Sequence, residues 1–169
     1  MKVLSRREFE DLARDQNLTN LKMIGGFIDK YTHEVVLPKG AKTRVKTHEV
    51  GHERLDHFQK SVSFYGAGKK DVLKMMESST RHVDDEIEAE IESYRMMGKK
   101  KTHRVGFMAL RVLLEEGWTL YRALSLVIGR LRHYGIKVSY QDRMDLVSII
   151  ESAREEEFED WKGWEGKWY

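Results

Sequence analysis

The sequence contains no cysteine, which excludes disulfide bonds, a zinc ribbon with cysteine ligands and a cysteine nucleophile. Any metal site in this chain must therefore be built from histidine and carboxylate side chains. The sequence also has no apolar run of about 18 residues, the length that a transmembrane helix needs. Residues 1–15 carry too many charges for the apolar core of a signal peptide. Together these absences predict a cytoplasmic protein with no membrane segment.

An excess of charge of one sign is missing as well. The chain has 30 Lys and Arg residues against 28 Asp and Glu residues, for a net charge of +2. This balance gives no global reason to expect a nucleic-acid partner, so any basic contact must be local. The basic run GKKKTHR, residues 98–104, is such a place. We interpret it as a solvated connection between helices, and contact with phosphate is the less favoured alternative.

The most informative motif is HEVGH, residues 48–52, which matches the HExxH pattern. Residues four apart lie above one another on a helix, so His48 and His52 can bind one metal ion through neutral imidazole nitrogens. Glu49 lies about 100° around the helix, where it can contact a water molecule on the metal, and is the candidate general base. Gly51 has no side chain and could let another element or a substrate approach. The competing interpretation is a helix with two surface histidines.

The residues before this motif predict a short helix and a β-hairpin. Ser5, followed by Glu8, is a capping-box signature for the helix. Residues 22–37 contain two apolar segments around a polar turn near Asp29, which is typical of a hairpin, and Pro38 ends it. A hairpin followed by a helix that carries HExxH is expected of a zincin-like α+β domain.

Two longer helices are predicted around a loop. The HExxH helix is expected over residues 42–58, and residues 61–70 are expected to form the loop. The second helix is predicted over residues 81–97. Its apolar stripe, which should face the core, consists of Val83, Ile87, Ile91 and Tyr94.

A catalytic zinc site needs a third protein ligand and leaves its fourth position open. The metzincin spacing does not supply that ligand, and His57 points away from His52 if the helix continues. The remaining candidates are four alternating glutamates of the second helix: Glu86, Glu88, Glu90 and Glu92.

Helical geometry separates these glutamates without choosing one. Glu90 lies about 55° from the centre of the apolar stripe, and Glu86 lies about 95° from it. Glu92 lies about 145° away and should be solvated. An acidic surface is the competing interpretation of all four side chains, because charge runs usually face solvent.

The segments THEVGHERL, residues 47–55, and EIEAEIESYRMM, residues 86–97, resemble the ImmA/IrrE family of small zinc-dependent metallopeptidases. The resemblance covers about residues 25–97. It implies a minimal zincin-like domain, similar in arrangement to gluzincins, in which a β-hairpin precedes the HExxH helix. In this arrangement a second helix supplies the glutamate ligand.

The resemblance also implies a site. Its metal would be Zn²⁺, with these ligands: His48, His52 and Glu86. Glu49 would act as the general base. Glu90 would orient a ligand histidine through the ring nitrogen that does not bind the metal. Glu88 is the second choice for the third ligand.

We expect three regions along the chain. Residues 1–98 form the metallopeptidase-like domain, residues 99–154 form a helical subdomain, and residues 155–169 form an acidic, tryptophan-rich tail. The tail is too aromatic for a plain solubilising segment, because it contains Trp161, Trp164 and Trp168.

Apolar repeats predict three helices in the subdomain. Gly117 separates the first two, Gly135 ends the second, and Ser139 opens the third. The third helix carries Met144, Val147 and Ile150. The apolar stripes are most economically core, although three short helices could also resemble a helix-turn-helix or hold a protein partner.

The sequence therefore predicts a zinc metallopeptidase, a hydrolase in which Glu49 assists the attack of metal-bound water on a peptide bond. The family resemblance implies a regulatory protein as substrate, such as a transcriptional repressor. The alternative is a non-catalytic regulatory protein with a metal-stabilised zincin-like fold, which binds a protein or nucleic acid through its basic run, helical subdomain and tail.

Overall fold

The computed structural model describes the backbone of residues 1–18, 25–55 and 69–165, and the side chains of residues 1–18, 25–55 and 77–153. The described chain is mixed α+β and mostly helical. It divides into two compact units, Met1–Lys100 and Lys101–Tyr169. The first boundary lies close to the predicted one at residue 98. The predicted tail, residues 155–169, falls within the second unit.

The first unit contains a small sheet and three helices among its described residues. In chain order these are β1 Lys2–Leu4, α1 Arg6–Asp15, β2 Phe27–Ile28, β3 Val35–Pro38, α2 Thr43–Arg54 and α3 Lys69–Met96. The strand order is β1-β3-β2. β1 pairs with β3 in parallel and β2 pairs with β3 antiparallel. All four residues of β3 are buried, as expected of an apolar run at the centre of a sheet.

The predicted β-hairpin is confirmed for the described residues. Phe27 pairs with Val36, and Ile28 pairs with Val35. The turn forms at Asp29, whose carboxylate accepts hydrogen bonds from the backbone N–H groups of Tyr31 and Thr32 at 2.8 and 3.1 Å. Such an Asx-type bond is the physical reason why aspartate favours turns. Residues 19–24, which include the start of the predicted hairpin, lie outside the described residues.

The capping box of α1 is also confirmed. The Ser5 side chain accepts a hydrogen bond from the Glu8 backbone N–H, and the Glu8 carboxylate accepts one from the Ser5 backbone N–H at 2.9 Å. These bonds satisfy orphan donors at the start of the helix. The helix then places Phe9 against Phe27, with ring centroids 5.1 Å apart. The small core around them consists of Phe9, Ala13, Phe27 and Val36.

The helix boundaries of α2 and α3 differ from those predicted. α2 begins at Thr43 and ends at Arg54, and the predicted end at residue 58 lies outside the described residues. α3 begins at Lys69 rather than at residue 81, so the predicted loop over 61–70 is wrong at its last two positions. The rest of that loop lies outside the described residues. Within the apolar stripe of α3, Val83 and Ile87 are fully buried, as predicted.

The second unit is helical throughout its described elements. A 3-10 turn at His103–Gly106 leads into α4 Phe107–Glu115, which is followed by α5 Leu120–His133 and α6 Tyr140–Glu165. α6 passes through residue 155 without a break. The side chains of Trp161 and Trp164, and all of Trp168, lie outside the described residues.

The predicted helix ends of this unit are confirmed. Gly135 has a φ of 74°, and its backbone N–H donates to the Arg132 carbonyl at 3.0 Å, as in a glycine-terminated helix. Ser139 opens α6 through reciprocal hydrogen bonds with Asp142. Met144 was predicted to be a core residue, but its side chain is 41% exposed. Leu146 is buried in its place, because it lies about 200° around the helix from Met144.

The basic run near the unit boundary is tied into the second unit from residue 101 onward. Lys101 Nζ donates to the Tyr134 carbonyl at 2.9 Å, which places a cation at the C-terminus of α5. Arg104 makes two hydrogen bonds to the Asp145 carboxylate. These contacts support the interpretation of the run as a connection. Among the described residues, no helix combines the length and apolar character that spanning a bilayer requires.

Candidate metal centre

The candidate metal centre lies between α2 and α3. α2 presents His48 and His52 one turn apart, and α3 presents Glu86; all three side chains are buried. Contacts between nitrogen and carboxylate groups alternate between the two helices. We refer to this series as the ladder, and its members in order are Arg44, Glu90, His48, Glu86 and His52.

Three donor groups converge at the centre of the ladder. His48 Nε2 lies 3.1 Å from His52 Nε2 and 3.2 Å from Glu86 Oε2. His52 Nε2 lies 3.5 Å from Glu86 Oε1. Two nitrogen ligands at about 2.05 Å from a tetrahedral zinc ion lie about 3.3 Å apart. The observed spacing is therefore compatible with a zinc ligand set.

The hydrogen bonding of Glu86 fits a cation in the same place. Glu86 Oε2 is buried and has no aligned hydrogen-bond donor. Leaving a buried polar atom without a partner costs about 1–3 kcal/mol, and more for a charged group. Within the described part of the chain, His48, His52 and Glu86 are the group whose donor atoms all lie within 4.8 Å of one another. Two imidazoles and a carboxylate form a donor set that suits Zn²⁺.

Electrostatics also favour an anionic Glu86. Burial alone would raise the pKa of the Glu86 carboxyl, but the adjacent imidazoles of His48 and His52 lower it below its ordinary value. Burial alone would lower the pKa of His48, but the carboxylates of Glu86 and Glu90 raise it above its ordinary value. Both shifts favour a proton on His48 between anionic carboxylates, and a metal cation bound by these groups would replace that proton.

Glu90 contacts His48 on the Nδ1 side of the imidazole. Its carboxylate is 1% exposed, and Oε1 lies 2.9 Å from His48 Nδ1. This is a hydrogen-bond distance, although the Nδ1 group is not aligned as in an ideal bond. The second carboxylate oxygen, Oε2, accepts a hydrogen bond from Arg44 Nη2 at 3.1 Å. Arg44 was missed in the sequence, where its position four residues before His48 was the available signal.

Glu49 lies beside the donor groups and does not belong to them. Its side chain is partly buried and packs over Gly26, where an added Cβ would lie 2.8 Å from Glu49 Cγ. Gly26 therefore makes room for Glu49 next to the hairpin. Burial raises the pKa of the Glu49 carboxyl, and the charge of Glu86 acts in the same direction. The charges of His48 and His52 act against both. A raised pKa brings a carboxyl closer to the range in which it exchanges protons near neutral pH.

The backbones of α2 and α3 approach closely at Gly51. A Cβ at this position would lie 2.6 Å from the Ala89 carbonyl oxygen and 3.1 Å from Ala89 Cα. Another element therefore approaches Gly51, as the sequence allowed. Beside this contact, Thr47 and Ser93 share a hydrogen bond of 2.6 Å between their hydroxyl groups. Together these contacts fix the distance across which the ladder forms.

The remaining sequence candidates lie away from the centre. Glu88 is partly buried and is not part of the close donor group. Glu92 was expected to be solvated, but its side chain is only 15% exposed because Arg54 and Arg95 cover it. The same two arginines hold the pKa of Glu92 well below its ordinary value, with the Arg95 hydrogen bond as the larger cause. His57 lies outside the described residues. His103 belongs to the second unit, where it contacts Asp142 and Asp145.

No family model, curated protein or solved structure matches this chain. The assignment of a class of protein therefore rests on the HExxH motif and on the geometry of the ladder.

The third ligand can be tested with two glutamates on the same helix. We expect Glu86→Ala to weaken zinc binding by more than about 100-fold, since the loss of an outer partner alone costs about 10- to 100-fold. Glu88→Ala should keep about one zinc per chain, because Glu88 lies outside the donor group. Plasma mass spectrometry of protein purified without a metal-affinity column measures the zinc content of each variant, and competition with a chelator measures its zinc affinity. If Glu88→Ala lost zinc and Glu86→Ala kept it, Glu88 would be the third ligand.

Proposed function

We propose that the first unit is a zinc-dependent metallopeptidase of the ImmA/IrrE type. The observation that carries this proposal is the convergence of His48, His52 and Glu86, with the Glu49 carboxyl beside them. A donor set with an adjacent acid–base group is what metal-assisted hydrolysis requires. A structural metal site would need the same ligands but would not need Glu49.

The side chains divide the chemistry between them. Zinc held by His48, His52 and Glu86 would lower the pKa of water to about 7 and polarise a peptide carbonyl. Glu49 takes a proton from water as the water oxygen adds to the carbonyl carbon. It then delivers that proton to the nitrogen of the leaving amine as the C–N bond breaks. The products are a carboxylic acid and an amine, which at neutral pH become a carboxylate and an ammonium group, and Glu49 returns to its initial state.

The architecture around the site supports a zincin-like arrangement. The hairpin of β2 and β3 precedes α2, and α3 crosses α2 at Gly51 and Ala89. Gly26, just before β2, leaves room for the Glu49 side chain, since an added Cβ would lie 2.8 Å from Glu49 Cγ. We propose that this first unit is a minimal metallopeptidase domain to which the helical second unit is appended.

The substrate that we propose is a regulatory protein, such as a transcriptional repressor, cleaved in the cytoplasm. The resemblance of residues 47–55 and 86–97 to the ImmA/IrrE family supports this substrate class. The competing function is a non-catalytic regulatory protein in which the same metal stabilises the fold.

Zinc-loaded protein is expected to cleave members of a proteome-derived peptide library, with new amino termini identified by mass spectrometry. A chelator should abolish cleavage, and added zinc should restore it, because the proposed reaction depends on the bound metal. Protein that holds one zinc per chain and cleaves no peptide, even at high enzyme concentration, would contradict the peptidase function. That outcome would favour the non-catalytic regulatory protein.

A further inference from the structure

We propose that Arg44 is a positioning residue of the metal centre, which sets the orientation of the His48 imidazole through Glu90. This inference rests on the proposed metal centre and extends it to a residue outside the ligand set. It concerns the geometry of zinc binding, so it can be tested without a peptide substrate.

The first step concerns the Glu90 carboxylate. Glu90 is 1% exposed, and a carboxylate so deeply buried needs nitrogen partners in place of water. Its two oxygens face different partners: Oε1 lies 2.9 Å from His48 Nδ1, and Oε2 lies 3.1 Å from Arg44 Nη2. Arg44 therefore fixes which oxygen faces His48. Without the guanidinium, the carboxylate can rotate away from the imidazole.

The second step concerns the imidazole. The Nδ1 and Nε2 atoms lie on opposite sides of the His48 ring, so a partner at Nδ1 determines where Nε2 points. In this structure Nε2 points to His52 Nε2 and Glu86 Oε2, at 3.1 and 3.2 Å. A carboxylate oxygen 2.9 Å from Nδ1 also favours the tautomer with its proton on Nδ1, whose Nε2 lone pair can bind a metal. Arg44 thus acts on the metal-binding atom from two contacts away.

The chain contains a matched control for this contact. Arg54, at the end of α2, pairs with Glu92 of α3 at 3.1 Å, the same distance as between Arg44 and Glu90. The two arginine side chains have similar exposure, 48% for Arg44 and 52% for Arg54. Both pairs link the same two helices, but Glu92 is not part of the ladder. Glu92 keeps Arg95 as a partner when Arg54 is removed, so Arg54→Met reports the loss of one cation between the helices. The free energy of unfolding is measured for both variants, so that a loss of zinc affinity is compared at known stability.

The test compares Arg44→Met with Arg54→Met. Zinc dissociation constants are measured by competition with a chromophoric chelator. We expect Arg44→Met to weaken zinc binding by up to about 10-fold, the lower end of the 10- to 100-fold effect of losing a direct partner of a ligand, because Arg44 acts through Glu90. Arg54→Met should bind zinc like the wild type. Arg44→Lys should fall between them, because an ammonium keeps the charge but not the planar fork of donors. Equal zinc affinity in both methionine variants would overturn the proposal.

A double-mutant cycle then tests the route through Glu90. In a Glu90→Gln background, Arg44→Met should cause little further loss of zinc affinity, because the two residues act in series. A full loss in that background would overturn the proposal. The visible absorption of Co²⁺-loaded protein should change in Arg44→Met and not in Arg54→Met, since it reports ligand geometry. If Arg44→Met does not fold, Arg44→Lys and Glu90→Gln provide the same comparison.

The same measurements separate this proposal from the proposed function. Wild-type protein that binds no zinc would overturn both. Zinc binding that is insensitive to Arg44 would overturn this inference alone. Zinc binding that depends on Arg44, in a protein that cleaves no peptide, would support the positioning role and reject the peptidase.

Discussion

Replacing Glu49 by glutamine is expected to reduce peptide hydrolysis by about 10²- to 10⁴-fold, the usual contribution of a general acid–base group. Glutamine has the same shape as glutamate but cannot take a proton from water. The rate constant kcat should fall and KM should change little, because the lost interaction acts only in the transition state. The measurement is the rate of cleavage of a peptide identified from the library, at saturating zinc.

Zinc binding should survive this substitution. The donor group consists of His48, His52 and Glu86, and Glu49 is not part of it. Glu53→Gln is the matched control, because it makes the same change in charge. Glu53 lies one turn further along α2 and is partly buried. It should leave cleavage unchanged. Undiminished cleavage by zinc-loaded Glu49→Gln would reject the role of general base, whereas loss of zinc would assign Glu49 to the metal centre itself.

The parts of the fold that the sequence predicted are those specified by neighbouring residues. The capping box of Ser5 and Glu8 and the glycine end of α5 at Gly135 depend on contacts within a few positions of the chain. The hairpin depends on the turn chemistry of Asp29 between two apolar segments. Local rules of this kind determine where elements begin and end.

The sequence did not predict β1 or the first turns of α3. β1 has only three residues and is a strand because Val3 pairs with Leu37 of β3. α3 continues through Ser78, Ser79 and Thr80, residue types that favour the start of a helix, and so its true beginning at Lys69 was hidden. For β1, tertiary pairing determines a strand that its three residues alone would not predict.

The candidate site shows the same division. HExxH spacing predicted that His48 and His52 share a face, and the structure places them so. The angular positions of the glutamates around α3 could not identify the ligand. They do not depend on the angle at which α3 packs against α2, and that angle is not known from the sequence. That angle brings Glu86 to the imidazoles and Glu90 behind His48. It also brings Arg54 over Glu92, which its angular position had left to solvent.

Replacing Gly51 by alanine is expected to destabilise the first unit and weaken zinc binding together. An added Cβ would lie 2.6 Å from the carbonyl oxygen of Ala89 and 3.2 Å from its carbonyl carbon. These are backbone atoms of α3, so the helices must separate to relieve the contact. Overpacking of this kind costs about 1–3 kcal/mol in the free energy of unfolding. Separation would also lengthen the distances between Glu86 and the two imidazoles, which are 3.2 and 3.5 Å.

The direction of this effect is informative because alanine is otherwise the better helix residue, by about 1 kcal/mol relative to glycine. Gly129, inside α5, provides the control, since a Cβ there would meet no atom within 4 Å. Gly129→Ala should therefore raise the urea midpoint, whereas Gly51→Ala should lower it. Zinc affinity, measured by chelator competition, should fall only in Gly51→Ala. If Gly51→Ala were as stable as Gly129→Ala and bound zinc normally, α2 and α3 could not be as close as the ladder requires.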